Sequence, residues 1–236
     1  ALATTAATQA TAATASVAAA TAEIAIDRKT FSLTTGVDAL TGGAGSDTFN
    51  GVLQVAAGAA ATGTTTSPGD VLEGGAGIDT FNLSVAGNAG GVFTLQAVQL
   101  KNVENLLVTN FDLNAAATTI DTALMTGVTK VGLSASSSSG DTTFTGMTAI
   151  TDAQMANGSA DLTLTYSAGT TGTADVQNLS LSAVTAGAFS ASGVETIAVT
   201  NALTANTLAS ITGSALKAIT VTGDQNFTMT GASTVK

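Results

Sequence analysis

One nine-residue segment, written twice, constrains this chain more than any other feature. Gly42-Gly43-Ala44-Gly45-Ser46-Asp47-Thr48-Phe49-Asn50 recurs as Gly74-Gly75-Ala76-Gly77-Ile78-Asp79-Thr80-Phe81-Asn82. Its glycines permit a tight turn and positive φ, and they leave backbone carbonyls uncovered. The Thr-Phe-Asn that follows alternates polar and apolar residues, which is the period of a half-buried strand. A partial copy precedes each segment in register: Asp38 and Leu40 lie nine residues before Asp47 and Phe49, and Asp70 and Leu72 nine before Asp79 and Phe81. Gly36 likewise precedes Gly45, whereas Pro68 takes the equivalent place before Gly77.

The spacing predicts one Asp per coil of a stacked strand structure, with Asp38 against Asp47 and Asp70 against Asp79. Two carboxylates and several carbonyls around one point suit a hard cation, Ca²⁺ rather than a transition metal. Without the ion the stacked carboxylates repel, so metal binding is expected to couple to folding. Leu40, Phe49, Leu72 and Phe81 are expected to plug the interior. The competing reading of the same residues is a set of ordinary Asx/Gly turns between strands.

A second repeat occupies the C-terminal part. Its best copies are Val103-Glu104-Asn105-Leu106-Leu107-Val108-Thr109-Asn110 and Val194-Glu195-Thr196-Ile197-Ala198-Val199-Thr200-Asn201, followed by Leu216-Lys217-Ala218-Ile219-Thr220-Val221-Thr222-Gly223. Further copies start at Val128 and Val176, and a weaker one at Ser159. Positions four and six share one strand face. Stacking of like residues predicts one internal column of Leu106, Val131, Leu162, Leu179, Ile197 and Ile219. One strand per repeat at uneven spacing favours a parallel β-solenoid with loops of varying length over a β-sandwich. The general hand of parallel β crossovers predicts a right-handed one.

Composition narrows the chemistry. The chain lacks His and Cys, so it offers no imidazole base, no thiolate and no ordinary zinc site. Absent cysteines also suit an oxidising exterior, where free thiols are a liability. A net charge of −10 argues against nucleic acid and anionic membranes, and no apolar stretch is long enough to span a bilayer. Charged residues are only 9% of the chain, leaving a Thr/Ser/Asn surface suited to flat strand ladders. Residues 1–30 read as an Ala/Thr-rich, helix-capable arm, 31–97 as cation-binding coils with a loop insertion near 55–68, and 98–236 as the solenoid repeats. The segment begins at Ala without a signal-peptide pattern. A piece of a longer product, a processed form, or export by a signal elsewhere is expected.

No catalytic set emerges. Glu104 and Glu195 share a repeat position, which points to accepting backbone N–H groups at a coil corner rather than to an acid/base pair. The Ser136–Ser139 run reads as a solvated loop, since a serine hydrolase needs a base. Asp112, Asp121, Asp141, Asp152, Asp161, Asp175 and Asp224 sit in turn-like contexts. Lys101, Lys130 and Lys217 read as edge-protecting charges, and Tyr166 as an edge or interface residue.

The two nonapeptides fit the pattern G-G-x-G-x-D-x-U-x and resemble the repeats-in-toxin calcium-binding family exported by type I secretion. Together with Cys-free Ala/Thr/Ser/Gly-rich coils marked by Val-Glu-Asn-Leu and Val-Glu-Thr-Ile, they resemble surface-layer proteins of Gram-negative bacteria, notably the Caulobacter type. That resemblance implies an all-β solenoid lattice subunit, assembling with itself on the outer cell surface in a calcium-dependent way. It implies side-chain ligands from Asp38, Asp47, Asp70 and Asp79, and carbonyl ligands from Gly43, Gly45, Gly75 and Gly77. It also implies contact with cell-surface lipopolysaccharide through sequence outside this chain. Two other readings stay open: a subunit of an extracellular fibre or biofilm matrix, and the calcium-binding module of a larger secreted enzyme or adhesin.

Overall fold

The computed structural model describes residues 9–11, 13–14, 27–55, 63–87, 94–95, 97–113, 116–201 and 203–236. Most of the Ala/Thr arm and residues 56–62 of the 55–68 insertion lie outside the described residues. Within the arm, 9–11, 13 and 14 have helical backbone.

Apart from the helical residues of the arm, the described residues are nearly all β, and every strand pairing among them is parallel. The short strands fall into stacked sheets rather than a sandwich, which makes the fold a parallel β-solenoid. Sheet A runs the length of the molecule. Its strands are β1 (Thr30–Ser32), β3 (Thr48–Val55), β5 (Thr80–Gly87), β8 (Asn105–Asp112), β11 (Lys130–Ser136), β13 (Asp152–Gly158), β15 (Val176–Val184), β17 (Thr196–Asn201) and β20 (Ala218–Thr222), stacked in that order. Sheet B stacks β2 (Ala39–Gly43), β4 (Val71–Gly75), β7 (Gln99–Lys101) and β10 (Met125–Thr126). Sheet C stacks β6 (Thr94–Leu95), β9 (Thr118–Asp121), β12 (Thr142–Met147), β14 (Leu162–Tyr166), β16 (Ala188–Ala191) and β19 (Ser210–Thr212). A small fourth sheet pairs β18 (Asn206–Leu208) with β21 (Phe227–Met229). From β4 to β12 the chain visits B, A and C in turn. After β12 it passes from C straight back to A.

Alternation decides what faces inward. In β5, Phe81, Leu83 and Val85 are buried while Asn82 and Ser84 face outward. Phe49, Phe81, Leu106 and Val131 then stack rung on rung, each all but excluded from solvent. At about 1.5–3 kcal/mol per large apolar side chain buried, this column and its partners in sheets B and C drive the collapse. Parallel sheets need cover on the apolar face, and each sheet here is covered by the others. Phe31 stacks on Phe49 with ring centroids 5.0 Å apart and 10° between planes.

The internal column differs from the predicted one in two places. Leu162 belongs to β14 in sheet C, where it pairs with Thr142 and Phe189. Its expected place in sheet A is held by Ala153, between Val131 and Leu179. Leu179 pairs with Val199 rather than Ile197, and Ile197 pairs with Gln177 and Ile219. The slip is two residues. Side chains repeat every two residues along a strand, so a two-residue shift keeps Leu179 and Leu181 inside and pattern alone cannot detect it; Val176, the first residue of that repeat copy, is 45% exposed. Gln177 therefore sits in the interior, fully buried. It is satisfied by donating to Thr151 O at 2.7 Å and by accepting from the Tyr166 hydroxyl. Tyr166, expected at an edge or interface, lies instead on an inner strand of sheet C with its hydroxyl turned to the core, and burial pushes its phenol pKa up.

Candidate metal centre

The glycine turns sit at the corner between sheets B and A. β2 and β4 pair through Gly43 and Gly75, and β3 and β5 pair through Thr48 and Thr80. The turn Gly42–Asp47 therefore lies directly against Gly74–Asp79, and Ala76 N–H donates to Gly43 O at 2.9 Å. This corrects the expected pairing of the aspartates. Asp38 stacks on Asp70 and Asp47 on Asp79, across 32 residues; the nine-residue half-copies are two faces of one coil. Nine residues make one strand and one corner, so that period carries the chain to the next face and not to the next coil.

Apart from Asp38, which accepts from Thr34, the carboxylates of these columns accept the N–H of their counterpart one coil earlier. Asp47 Oδ1 accepts from Lys29 N at 2.5 Å, Asp79 Oδ1 from Asp47 N at 2.6 Å, and Glu104 Oε2 from Asp79 N at 2.7 Å. Asp70 Oδ1 accepts from Asp38 N at 2.9 Å. Far along the solenoid, Glu195 Oε2 accepts from Asp175 N at 3.0 Å, so the structure gives Glu104 and Glu195 the corner role expected of them. Asp141 and Asp161 do the same in the opposite direction, accepting from Asp161 N at 2.8 Å and Ala188 N at 2.7 Å.

The second oxygens distinguish the sites. Asp47 Oδ2 accepts from Gly43 N at 2.6 Å, closing its own turn. Asp70 Oδ2 accepts from Ser67 N at 2.7 Å, and Asp38 Oδ2 from Thr34 N at 2.7 Å. Asp79 Oδ2 is buried and has no partner. Its surroundings are oxygens: a β-carbon on Gly74 would lie 1.9 Å from Asn102 O and 2.3 Å from Asp79 Oδ2. Likewise a β-carbon on Gly42 would meet Gly74 O at 2.1 Å and Asp47 Oδ2 at 2.3 Å. Carboxylate and carbonyl oxygens thus converge where only glycine leaves room. Gly75 and Gly77 adopt φ of +105° and +116°, which side chains rarely tolerate. Gly43 O is already the acceptor for Ala76 N.

Two residues of this corner are absent from the sequence-derived ligand set. Asp27 caps the first turn, accepting from Ala44 N and from Gly45 N at 3.2 Å. Lys29 occupies the aspartate position one coil before Asp47 and donates its ammonium to Gly42 O at 2.9 Å. The signal was present, since Thr30-Phe31 repeats Thr48-Phe49 and Thr80-Phe81. Glu104 continues the acidic column in a corner shortened to Asn102-Val103-Glu104, with Asn102 at φ +48°.

All of these donors are hard oxygens, and one is buried without a partner, which fits Ca²⁺. Among the described residues no three carboxylates gather closely enough to cage a metal. Burial pushes the Asp79 carboxyl above its ordinary 3.8, helped by the charges of Glu104 and Asp47 and opposed by the bond from Asp47 N. A raised folded-state value means that the folded protein binds the proton before the unfolded chain does. Without metal, stability is therefore expected to rise as pH falls through the folded-state value toward 3.8, for this group's contribution. Asp79→Asn keeps the acceptor for Asp47 N and offers an N–H₂ toward Asn102 O. In chelator at neutral pH it is expected to gain about 1–3 kcal/mol, the usual cost of an unsatisfied buried group, measured by denaturant unfolding; a loss of stability would contradict the assignment.

Comparison with known proteins finds no matching family model, no matching curated protein and no matching solved structure.

Proposed function

We propose that this chain is a structural extracellular protein that self-assembles in a calcium-dependent way into a bacterial surface layer. The observation that carries the reading is the unpartnered Asp79 carboxylate oxygen, held among Asn102 O, Asp47 and Glu104 where two Gly-Gly-Ala-Gly-x-Asp turns stack. A bound Ca²⁺ would neutralise that column and tie successive coils together. Asp47 and Asp79 would supply carboxylates, with carbonyls from the glycine turns. Asp38 and Asp70 would serve the neighbouring corner. With few carboxylates per site, affinity belongs to the weak extracellular class, about 10⁻⁴–10⁻³ M. The role is structural rather than catalytic, since the buried polar groups described above spend their bonds on joining coils. No helix among the described residues is long and apolar enough to cross a membrane.

A fibre or matrix subunit is the second reading. It is favoured by β20, whose outer edge meets no further strand of sheet A among the described residues and whose Thr220–Thr222 are exposed. Such an edge can add a strand from another copy.

Electron microscopy of the protein in millimolar calcium and in chelator tests both. Ordered sheets in calcium alone are the expected result; calcium-dependent filaments would favour the fibre. Dispersed particles in both conditions would leave only a module of something larger. Asp47→Ala with Asp79→Ala is expected to abolish the calcium response of circular dichroism or melting temperature, while Glu104→Ala changes it much less. An unchanged response in the double variant would remove these residues from the site.

A further inference from the structure

The solenoid narrows where sheet B ends. Sheet B adds a strand at β2, β4, β7 and β10, and then stops. β12 ends at Met147, and the chain runs through Thr148–Thr151 directly into β13. The residues beside β10 therefore lose the rung that would have covered them. Met125 and Val128 are only partly buried although they pack on the core, and Val131 and Met147 lie behind them at 0% and 3% exposure. The result is a half-open cavity of about 290 Å³ lined by these four apolar residues together with four threonines, Ala149 and Gly127.

Two observations say what such a space would hold. No charged side chain lines it, which disfavours an ionic occupant, and its most buried walls are the aliphatic and thioether side chains of Val131 and Met147. Methionine thioethers adapt to irregular apolar shapes. Thr151 also lines the cavity; it is only 8% exposed, and its hydroxyl has no hydrogen bond. The Tyr166 hydroxyl lies within reach of Thr151, but it gives its proton to Gln177 Oε1, and its geometry toward Thr151 Oγ1 falls short of a hydrogen bond. A buried hydroxyl left open costs stability and gives an apolar ligand one polar anchor. The volume is roughly twice that of an apolar cavity known to hold benzene, which matches a chain of about eight to ten carbons.

We infer that this cavity is a binding site for a neutral medium-chain aliphatic alcohol, its hydroxyl on Thr151 and its chain against Met125, Val128 and Met147. The inference does not rest on the calcium reading or on the assembly proposed above, although Thr126 and Gly127 of the lining pack on Asn102.

The four methionines of the chain provide the test. With [¹³C]methyl-methionine labelling and titration with 1-octanol, the Met125 and Met147 resonances are expected to shift and saturate. Met155 and Met229, which do not line the cavity, should stay in place. Ala149→Trp, which puts an indole at the rim, should abolish saturation. Thr151→Val, close to isosteric, should weaken octanol about 5- to 10-fold, the worth of one hydrogen bond. It should leave octane binding unchanged. Shifts absent up to the solubility limit of octanol, four methionines moving together, or full binding to Ala149→Trp would each overturn the inference.

Discussion

Gly74→Ala is expected to destabilise the protein by about 3 kcal/mol or more, the upper part of the range for overpacking. The added carbon would fall 1.9 Å from Asn102 O and 2.3 Å from Asp79 Oδ2. Neither contact can be relieved by rotating a free side chain. Asn102 O belongs to the backbone of the next coil, held there by the pairing of Glu73 with Lys101. Asp79 is pinned by Asp47 N–H through its other oxygen. Relief requires the two coils to separate at the corner, which breaks the stacking of the acidic column. For a chain of this size the loss corresponds to roughly 6–12 °C in melting temperature. Gly36→Ala is the control, because its β-carbon would meet only Thr34 Oγ1 at 3.7 Å. Equal melting temperatures for the two variants would refute the close approach of the coils.

Phe81→Ala is expected to cost about 3–5 kcal/mol, the range for truncating a buried aromatic side chain. Phe81 is fully excluded from solvent and lies between Phe49 and Leu106 in the central column. Its ring also occupies the space beside Gly51, whose β-carbon would come within 2.8 Å of Phe81 Cε2. A small residue on one coil and a large one on the next fill the interior together, so an Ala at 81 leaves a void that Gly51 cannot fill. Denaturant unfolding should show a lower midpoint with an unchanged slope, the signature of lost stability without a changed unfolded state. A loss below about 1 kcal/mol would mean that the site collapses, which close-packed interiors rarely permit.

The sequence by itself determined the fold class, because a period of two with apolar residues at fixed repeat positions admits strands and little else. It determined that Leu106, Val131, Ile197 and Ile219 face inward, and that Glu104 and Glu195 close corners, since a carboxylate recurring at the residue before a strand has backbone N–H groups within reach. It marked the glycine turns as the place where oxygens could meet an ion. Only the tertiary structure decided which turn lies on which. Loop length adds only slowly to the free energy of closing a coil, about 1 kcal/mol between spacings of 9 and 32 residues, and nothing local selects between Asp47 on Asp38 and Asp47 on Asp79. The same freedom hid the two-residue slip at Gln177, which leaves Leu179 and Leu181 inside, and the transfer of Leu162 to another face. The unpartnered oxygen of Asp79 and the cavity beside Met125 were invisible for a related reason. Each arises from how one coil fits the next, and that depends on packing across the stack rather than on any segment of the chain.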